Sequence, residues 1–127
     1  SYTVKTGAGD DTITGWTGTD RVLLAEGGAG RDRIIGSGGN DVLAGGAGDD
    51  VLTGGTGADL FVFRAGEAGR DTVTDFAAGT DRLRFEGIAA SSLSVGQGVG
   101  GALVSWGEGS VLLQGVSTVT SANWILA

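Results

Sequence analysis

Cysteine and histidine are both absent from this chain, which removes two of the side chains best suited to act as nucleophile or general base. No serine-centred elbow and no phosphate-cradling loop stands in for them. A module without catalytic activity is therefore expected. The missing cysteines also rule out disulfides, which suits a cytosolic protein and equally an exported one that stays unfolded in transit. Methionine and proline are absent too, and aromatic residues make up only 6% of 127. There is no room for a large conventional core.

Basic charge is scarce. Eight Lys and Arg against 15 Asp and Glu leave a net charge of -7, which opposes a phosphate backbone, so no nucleic-acid partner is expected. Long apolar runs are lacking: Leu60 to Phe63 and Trp124 to Ala127 fall far short of the roughly 18 to 20 residues that span a bilayer. No membrane insertion is expected. The first residues lack the charged, apolar and small-residue order of a cleaved export signal. Ser1 stands where a Met would open a complete chain, so upstream sequence is expected.

What the chain has in excess is glycine, 27 residues of it, and the glycines recur with a period of nine. Thr6 to Thr14 and Gly15 to Leu23 form two units. Leu24-Ala25-Glu26 then read as three extra residues, and four contiguous units start at Gly27, Gly36, Gly45 and Gly54. The fourth position is always glycine: Gly9, Gly18, Gly30, Gly39, Gly48 and Gly57. The sixth is always aspartate, in Asp11, Asp20, Asp32, Asp41, Asp50 and Asp59. The eighth is always apolar, in Ile13, Val22, Ile34, Leu43, Leu52 and Phe61. Two degenerate units follow, with Asp71 and Val73, then Asp81 and Leu83, in register.

Such a unit reads as a six-residue turn and a three-residue strand. Glycine permits the positive φ angles that let a turn aim its carbonyl oxygens inward. In the strand only the eighth side chain faces the interior. The expected fold is all-β: a parallel β-roll, a solenoid related to the β-helix. Beyond it, Leu93 to Val95, Ala102 to Trp106 and Ser110 to Val116 read as antiparallel strands that form a C-terminal cap. The expected division is residues 1–62 for the roll and 63–127 for degenerate repeats and cap.

Stacked parallel strands lie about 4.8 Å apart, so sixth-position carboxylates two units apart become close neighbours. Bare, they repel. A hard cation taking roughly 6 to 8 oxygens from carboxylates and turn carbonyls converts that repulsion into ligation, and calcium tolerates the irregular geometry better than magnesium. The expected pairs are Asp11 with Asp32, Asp20 with Asp41, Asp32 with Asp50 and Asp41 with Asp59. Asp50 with Asp71 and Asp59 with Asp81 extend them, and the fourth-position glycines are the expected carbonyl donors. The first two pairs require the three extra residues to loop outward.

These residues follow the pattern G-G-x-G-x-D-x-U-x, and over about residues 6 to 62 the chain resembles the RTX, or hemolysin-type, calcium-binding repeat family. Asp71 to Phe76 with Gly79 to Leu83 looks like the segment that usually follows its repeats. The resemblance implies several bound calcium ions and passage through the type I secretion machinery of a Gram-negative bacterium to the extracellular space or cell surface. It also implies an uncleaved C-terminal secretion signal. Asn123 to Ala127 is similar to such tails, many of which carry an acidic residue where Asn123 stands.

A disordered glycine linker would have no reason to keep an apolar residue at every eighth position. The neighbouring carboxylates of Asp10-Asp11 and Asp49-Asp50 point to different sides of a tight turn, unlike a glycosidase pair. Trp16, Trp106 and Trp124 are scattered, which favours packing over a sugar platform. Arg21, Arg33 and Arg82 occupy outward seventh positions that would suit an acidic polysaccharide, but alternate units lie on opposite faces and form no single basic stripe. A polysaccharide- or surface-binding module is thus the alternative to a calcium-triggered folding module at the end of a larger exported protein.

Overall fold

A computed structural model describes residues 2–15 and 22–127. Among these the strands, in chain order, are β1 (Tyr2–Lys5), β2 (Thr12–Thr14), β3 (Leu23–Glu26), β4 (Arg33–Ile35), β5 (Val42–Ala44), β6 (Val51–Thr53) and β7 (Leu60–Arg64). They continue as β8 (Gly69–Val73), β9 (Arg82–Glu86), β10 (Ser94–Gly98), β11 (Gly101–Trp106), β12 (Gly109–Gln114) and β13 (Trp124–Leu126). Successive strands from β1 to β9 alternate between two sheets, one ordered β1-β3-β5-β7-β9-β13 and the other β10-β11-β12-β8-β6-β4-β2. The all-β parallel solenoid expected from the nine-residue period is what the chain forms.

Register follows the eighth position. Val4, Ala25, Leu43, Phe61 and Leu83 stack in one sheet, and Ile13, Ile34, Leu52 and Val73 in the other. From Ala25 and Ile34 onward these residues are fully buried. Each large one contributes about 1.5–3 kcal/mol through the apolar area it removes from water, so two thin columns supply the interior that a globular core would otherwise give.

Two departures from the sequence reading concern the first coils. Tyr2–Lys5, which carries no repeat marker, is a strand of the roll and pairs in parallel with β3. Leu24-Ala25-Glu26, expected to loop out, are strand residues instead, with Leu24 opposite Val42 and Ala25 opposite Leu43. The reason is continuity: strand positions abut the next turn, and counting back from Gly27 places Ala25, not Val22, in the eighth position. Leu23 then falls level with Asp41.

Glu26 is fixed by this register beside Lys5 at 3.2 Å and Arg64 at 3.1 Å, and Arg64 also meets Glu86 at 2.8 Å. Arg64 thus reaches across β5. Such surface pairs are worth about 0–1 kcal/mol each, so they decorate the register rather than set it.

At the far end β10, β11 and β12 form the expected antiparallel meander. However, β12 also pairs in parallel with β8, and β13 in parallel with β9, so both sheets run on through this region. The end of the roll is filled by aromatic rings: Phe63 lies 5.8 Å from Phe85 and 5.5 Å from Trp106, and Phe85 lies 5.3 Å from Trp106 and 6.1 Å from Trp124. Trp106 and Trp124 therefore pack rather than form an exposed platform. Trp16 lies outside the described residues. Among the described residues no helix is long and apolar enough to cross a membrane.

Candidate metal centre

The turns between strands stack as two columns of glycine and aspartate, one along each side of the roll. Stacking explains the glycines as much as backbone angle does. A Cβ placed on Gly30 would lie closer than 3.0 Å to the Gly9 carbonyl, one on Gly48 would strike Gly30 and one on Gly57 would strike Gly39. Gly9, Gly30, Gly48 and Gly57 also have φ between 94 and 109°. Only a residue without a side chain lets successive turns lie flat on one another with their carbonyls in file.

The carboxylates of Asp32, Asp41, Asp50, Asp59, Asp71 and Asp81 each reach back one full coil. Along one column Asp11 N donates to Asp32 Oδ1, Asp32 N to Asp50 Oδ1 and Asp50 N to Asp71 Oδ1, each at 2.9 Å. Along the other, Leu23 N donates to Asp41 Oδ1 at 2.8 Å, Asp41 N to Asp59 Oδ1 at 2.9 Å and Asp59 N to Asp81 Oδ1 at 2.8 Å. The structure thus brings together Asp11 with Asp32, Asp32 with Asp50, Asp50 with Asp71, Asp41 with Asp59 and Asp59 with Asp81. In the coil before Asp41 the residue whose amide meets its carboxylate is Leu23. Leu23 takes that level for the reason of continuity given above, while Asp20 and Gly18 lie outside the described residues.

The second oxygen of these carboxylates has a different fate. Oδ2 of Asp11, Asp32, Asp50 and Asp59 is buried and receives no hydrogen bond. In water such an oxygen would hold a proton donor, and inside a protein an unpaired carboxylate oxygen costs on the order of 1–3 kcal/mol or more. Burial pushes the Asp59 carboxyl up to about 7, with the Asp81 and Asp41 carboxylates adding repulsion. Desolvation likewise raises Asp32, Asp81 and the linked pair Asp50 and Asp71 above the usual aspartate range.

A donor set of buried, unneutralised carboxylate oxygens beside files of carbonyls matches the oxygen-only shell of a hard cation. Among the described residues no three acidic or other metal-binding side chains converge on one point. Carboxylate pairs alone would leave such a shell incomplete.

Two sets of residues escaped the sequence reading. Three fifth-position side chains brace the stack in the opposite direction: Asp10 Oδ1 accepts from Arg31 N at 2.8 Å, Asn40 Oδ1 from Ala58 N at 2.7 Å and Asp49 Oδ1 from Arg70 N at 2.8 Å. The Asp or Asn that precedes Asp11, Asp41 and Asp50 was the available signal. Asp75 receives Gly54 N at 2.8 Å and Gly55 N at 2.7 Å, sealing a turn from the coil above.

The geometry defines a β-roll of glycine-aspartate coils whose turns bury carboxylate oxygens suited to a hard cation. The family described as the RTX calcium-binding nonapeptide repeat matches residues 3–25 and 26–61, in four copies. Among solved structures, extracellular lipase LipA from Serratia marcescens is 28% identical with a TM-score of 0.71, the match covering 95% of this chain and 21% of the lipase. The AlgE6R3 subunit of the Azotobacter vinelandii mannuronan C5-epimerase is 30% identical with a TM-score of 0.64, covering 93% of this chain and 80% of the subunit. The AlgE6R2 subunit of the same epimerase is 29% identical with a TM-score of 0.61. No curated protein matches. This chain belongs to the RTX calcium-binding repeat family, a family represented in secreted proteins.

Proposed function

We propose that the chain is a calcium-triggered folding module of a larger exported protein, held as a roll by ions between stacked turns. The observation that carries this reading is the set of four buried Oδ2 atoms, on Asp11, Asp32, Asp50 and Asp59, that no protein group serves. Sixth-position aspartates would supply the carboxylates, Asp11, Asp20, Asp32, Asp41, Asp50, Asp59, Asp71 and Asp81 being the candidates. Carbonyls of the glycine turns, including Gly9, Gly18, Gly30, Gly39, Gly48 and Gly57, would complete the shells. Bound calcium supplies positive charge where the chain has only oxygen. The module has no catalytic role.

Residues 1–62 act as the metal-dependent roll and residues 63–127 close its end and carry the type I secretion signal. The aromatic cluster of Phe63, Phe85, Trp106 and Trp124 supports the closing role. Export from a Gram-negative bacterium fits the likeness to an extracellular lipase, of which this chain spans about a fifth. Low calcium inside the cell then keeps the chain open for transport, and calcium outside folds it. Circular dichroism during a calcium titration tests this. The expected result is a cooperative gain of β signal at roughly 0.1 to 1 mM calcium, the range of extracellular modules. A full β signal in excess chelator would refute it.

A second reading, binding of an acidic polysaccharide, is favoured by the 30% identity to an epimerase subunit whose enzyme is described as acting on mannuronan. Arg33 on β4 and Arg82 on β9 lie in opposite sheets, which argues against one basic surface. Calorimetric titration with polyuronates separates the two readings, since the first predicts no heat of glycan binding.

A further inference from the structure

Of the seven coils whose sixth-position aspartates are described, six fall into two groups; the seventh, that of Asp71, has Glu67 second, whose amide donates to Arg64 O at 3.2 Å instead of to the aspartate. In four of the six the second residue is a glycine in the left-handed region: Gly7 (φ 107°), Gly28 (φ 80°), Gly46 (φ 89°) and Gly55 (φ 85°). These are the coils of Asp11, Asp32, Asp50 and Asp59, and in all four Oδ2 is buried without a donor. In the other two the second residue is not glycine, and its own amide fills the place. Ser37 N donates to Asp41 Oδ2 at 2.7 Å, and Ala77 N donates to Asp81 Oδ2 at 2.9 Å.

From this correlation we infer that in these six coils the second residue selects whether the aspartate is served by a metal ion or by the chain's own backbone. The inference rests on the calcium reading above and assigns ions within it. An L side chain is sterically excluded from the left-handed backbone that glycine adopts freely, so Ser37 and Ala77 take the other turn conformation. No described residue other than glycine has positive φ. In that conformation the N–H of the second residue lies on the carboxylate, where a cation would otherwise be needed.

Ser37 strengthens the substitution. Its hydroxyl donates to Asp41 Oδ1 and accepts from Gly39 N at 3.2 Å, while Leu23 N adds a further donor to Oδ1 at 2.8 Å. The Asp41 carboxylate thus collects three donors, where that of Asp32 has one. The consequence is an asymmetric roll. The column of Asp11, Asp32 and Asp50 keeps its metal stations, whereas the column of Asp41, Asp59 and Asp81 keeps one, at Asp59, between two coils that need none.

The test counts calcium ions on the full chain by native mass spectrometry, with isothermal titration as a second measure of stoichiometry. Ser37→Gly and Ala77→Gly should each bind one ion more than wild type, because each frees an Oδ2. Ser37→Ala keeps a non-glycine backbone and should bind the wild-type number. Unchanged counts in both glycine variants, or an extra ion in Ser37→Ala, would overturn the selector. A wild-type chain that binds no calcium at all would instead remove the reading on which it rests.

Discussion

The amide of Asp32 donates to Oδ1 of Asp50 from 2.9 Å, 18 residues earlier in the chain, while Oδ2 of the same Asp50 carboxylate is buried with no donor. One oxygen therefore ties coil to coil and the other carries charge that only a cation can answer. Asp50→Asn separates these tasks, since an amide keeps an acceptor for Asp32 N and removes the buried charge. In excess chelator the variant should be more stable than wild type, because a buried neutral amide costs less than a buried unpaired carboxylate. With calcium present it should bind more weakly, its folding midpoint rising at least tenfold. Paired thermal melts with and without calcium would show the crossover, and a loss of stability under both conditions would contradict it.

Acid should replace part of what calcium does. Burial raises the Asp59 carboxyl to about 7, and Asp50, Asp71, Asp32 and Asp81 move in the same direction. Unfolded aspartates titrate near 3.9, so between about pH 4 and 7 the metal-free folded state holds more protons than the unfolded one. Its stability is greatest below the unfolded value and falls as pH rises through the folded values. Chelated chain should thus retain more β signal at pH 5 than at pH 7.5. Calcium must displace those protons, so its midpoint should rise as pH falls from 7.5 to 5.5. A chelated chain more stable at the higher pH would reverse the expected sign.

Gly9 and Gly30 share the same φ of 109°, yet a Cβ on Gly9 meets nothing within 4 Å whereas one on Gly30 strikes the Gly9 carbonyl. Alanine at either position carries the left-handed penalty of about 1–2 kcal/mol. Gly30→Ala must also push two turns apart, which adds about 1–3 kcal/mol by analogy with overpacked cores. Urea midpoints in saturating calcium should fall more for Gly30→Ala than for Gly9→Ala. Equal losses would mean that backbone angle alone fixes these glycines.

The sequence discloses the roll because one nonapeptide is one half-coil, so each repeated letter keeps one structural address. Ile34, Leu43 and Leu52 sit where the period puts them, and the aspartate pairs from Asp32 onward stack as spaced. Three features lay beyond that code. Strand β1 precedes the first glycine turn and has only Val4 to mark its register. The second coil is longer than nine residues, and Asp20 with Val22 imitates a regular unit although Leu23 and Ala25 are the buried residues of β3. Strand β13 joins the roll after a long excursion, held by Trp124 against Phe85, a contact with no periodic signal. Ser37 illustrates a further limit, because a pattern that accepts glycine or serine at one position conceals the backbone change that separates them.

Residues 64–127 should be required for the repeats to fold at ordinary calcium levels. A roll ending at Phe63 would expose Phe61 and Phe63, which pack against Phe76, Phe85 and Trp106 in the full chain. It would also lose the carboxylates of Asp71 and Asp81 that receive Asp50 N and Asp59 N, together with the Asp75 contacts that seal Gly54 and Gly55. Two strand edges, on β6 and β7, would stand open, and uncovered edges with apolar neighbours invite association. Solenoids lacking a terminal element lose nearest-neighbour interface energy that the remaining coils do not recover. Chain cut after Phe63 should therefore stay largely unfolded or aggregate at roughly 0.1 to 1 mM calcium, the range of extracellular modules. Sedimentation and circular dichroism would report both outcomes. Monomeric folding of the truncated chain at the calcium midpoint of the full chain would show that its C-terminal half serves export alone.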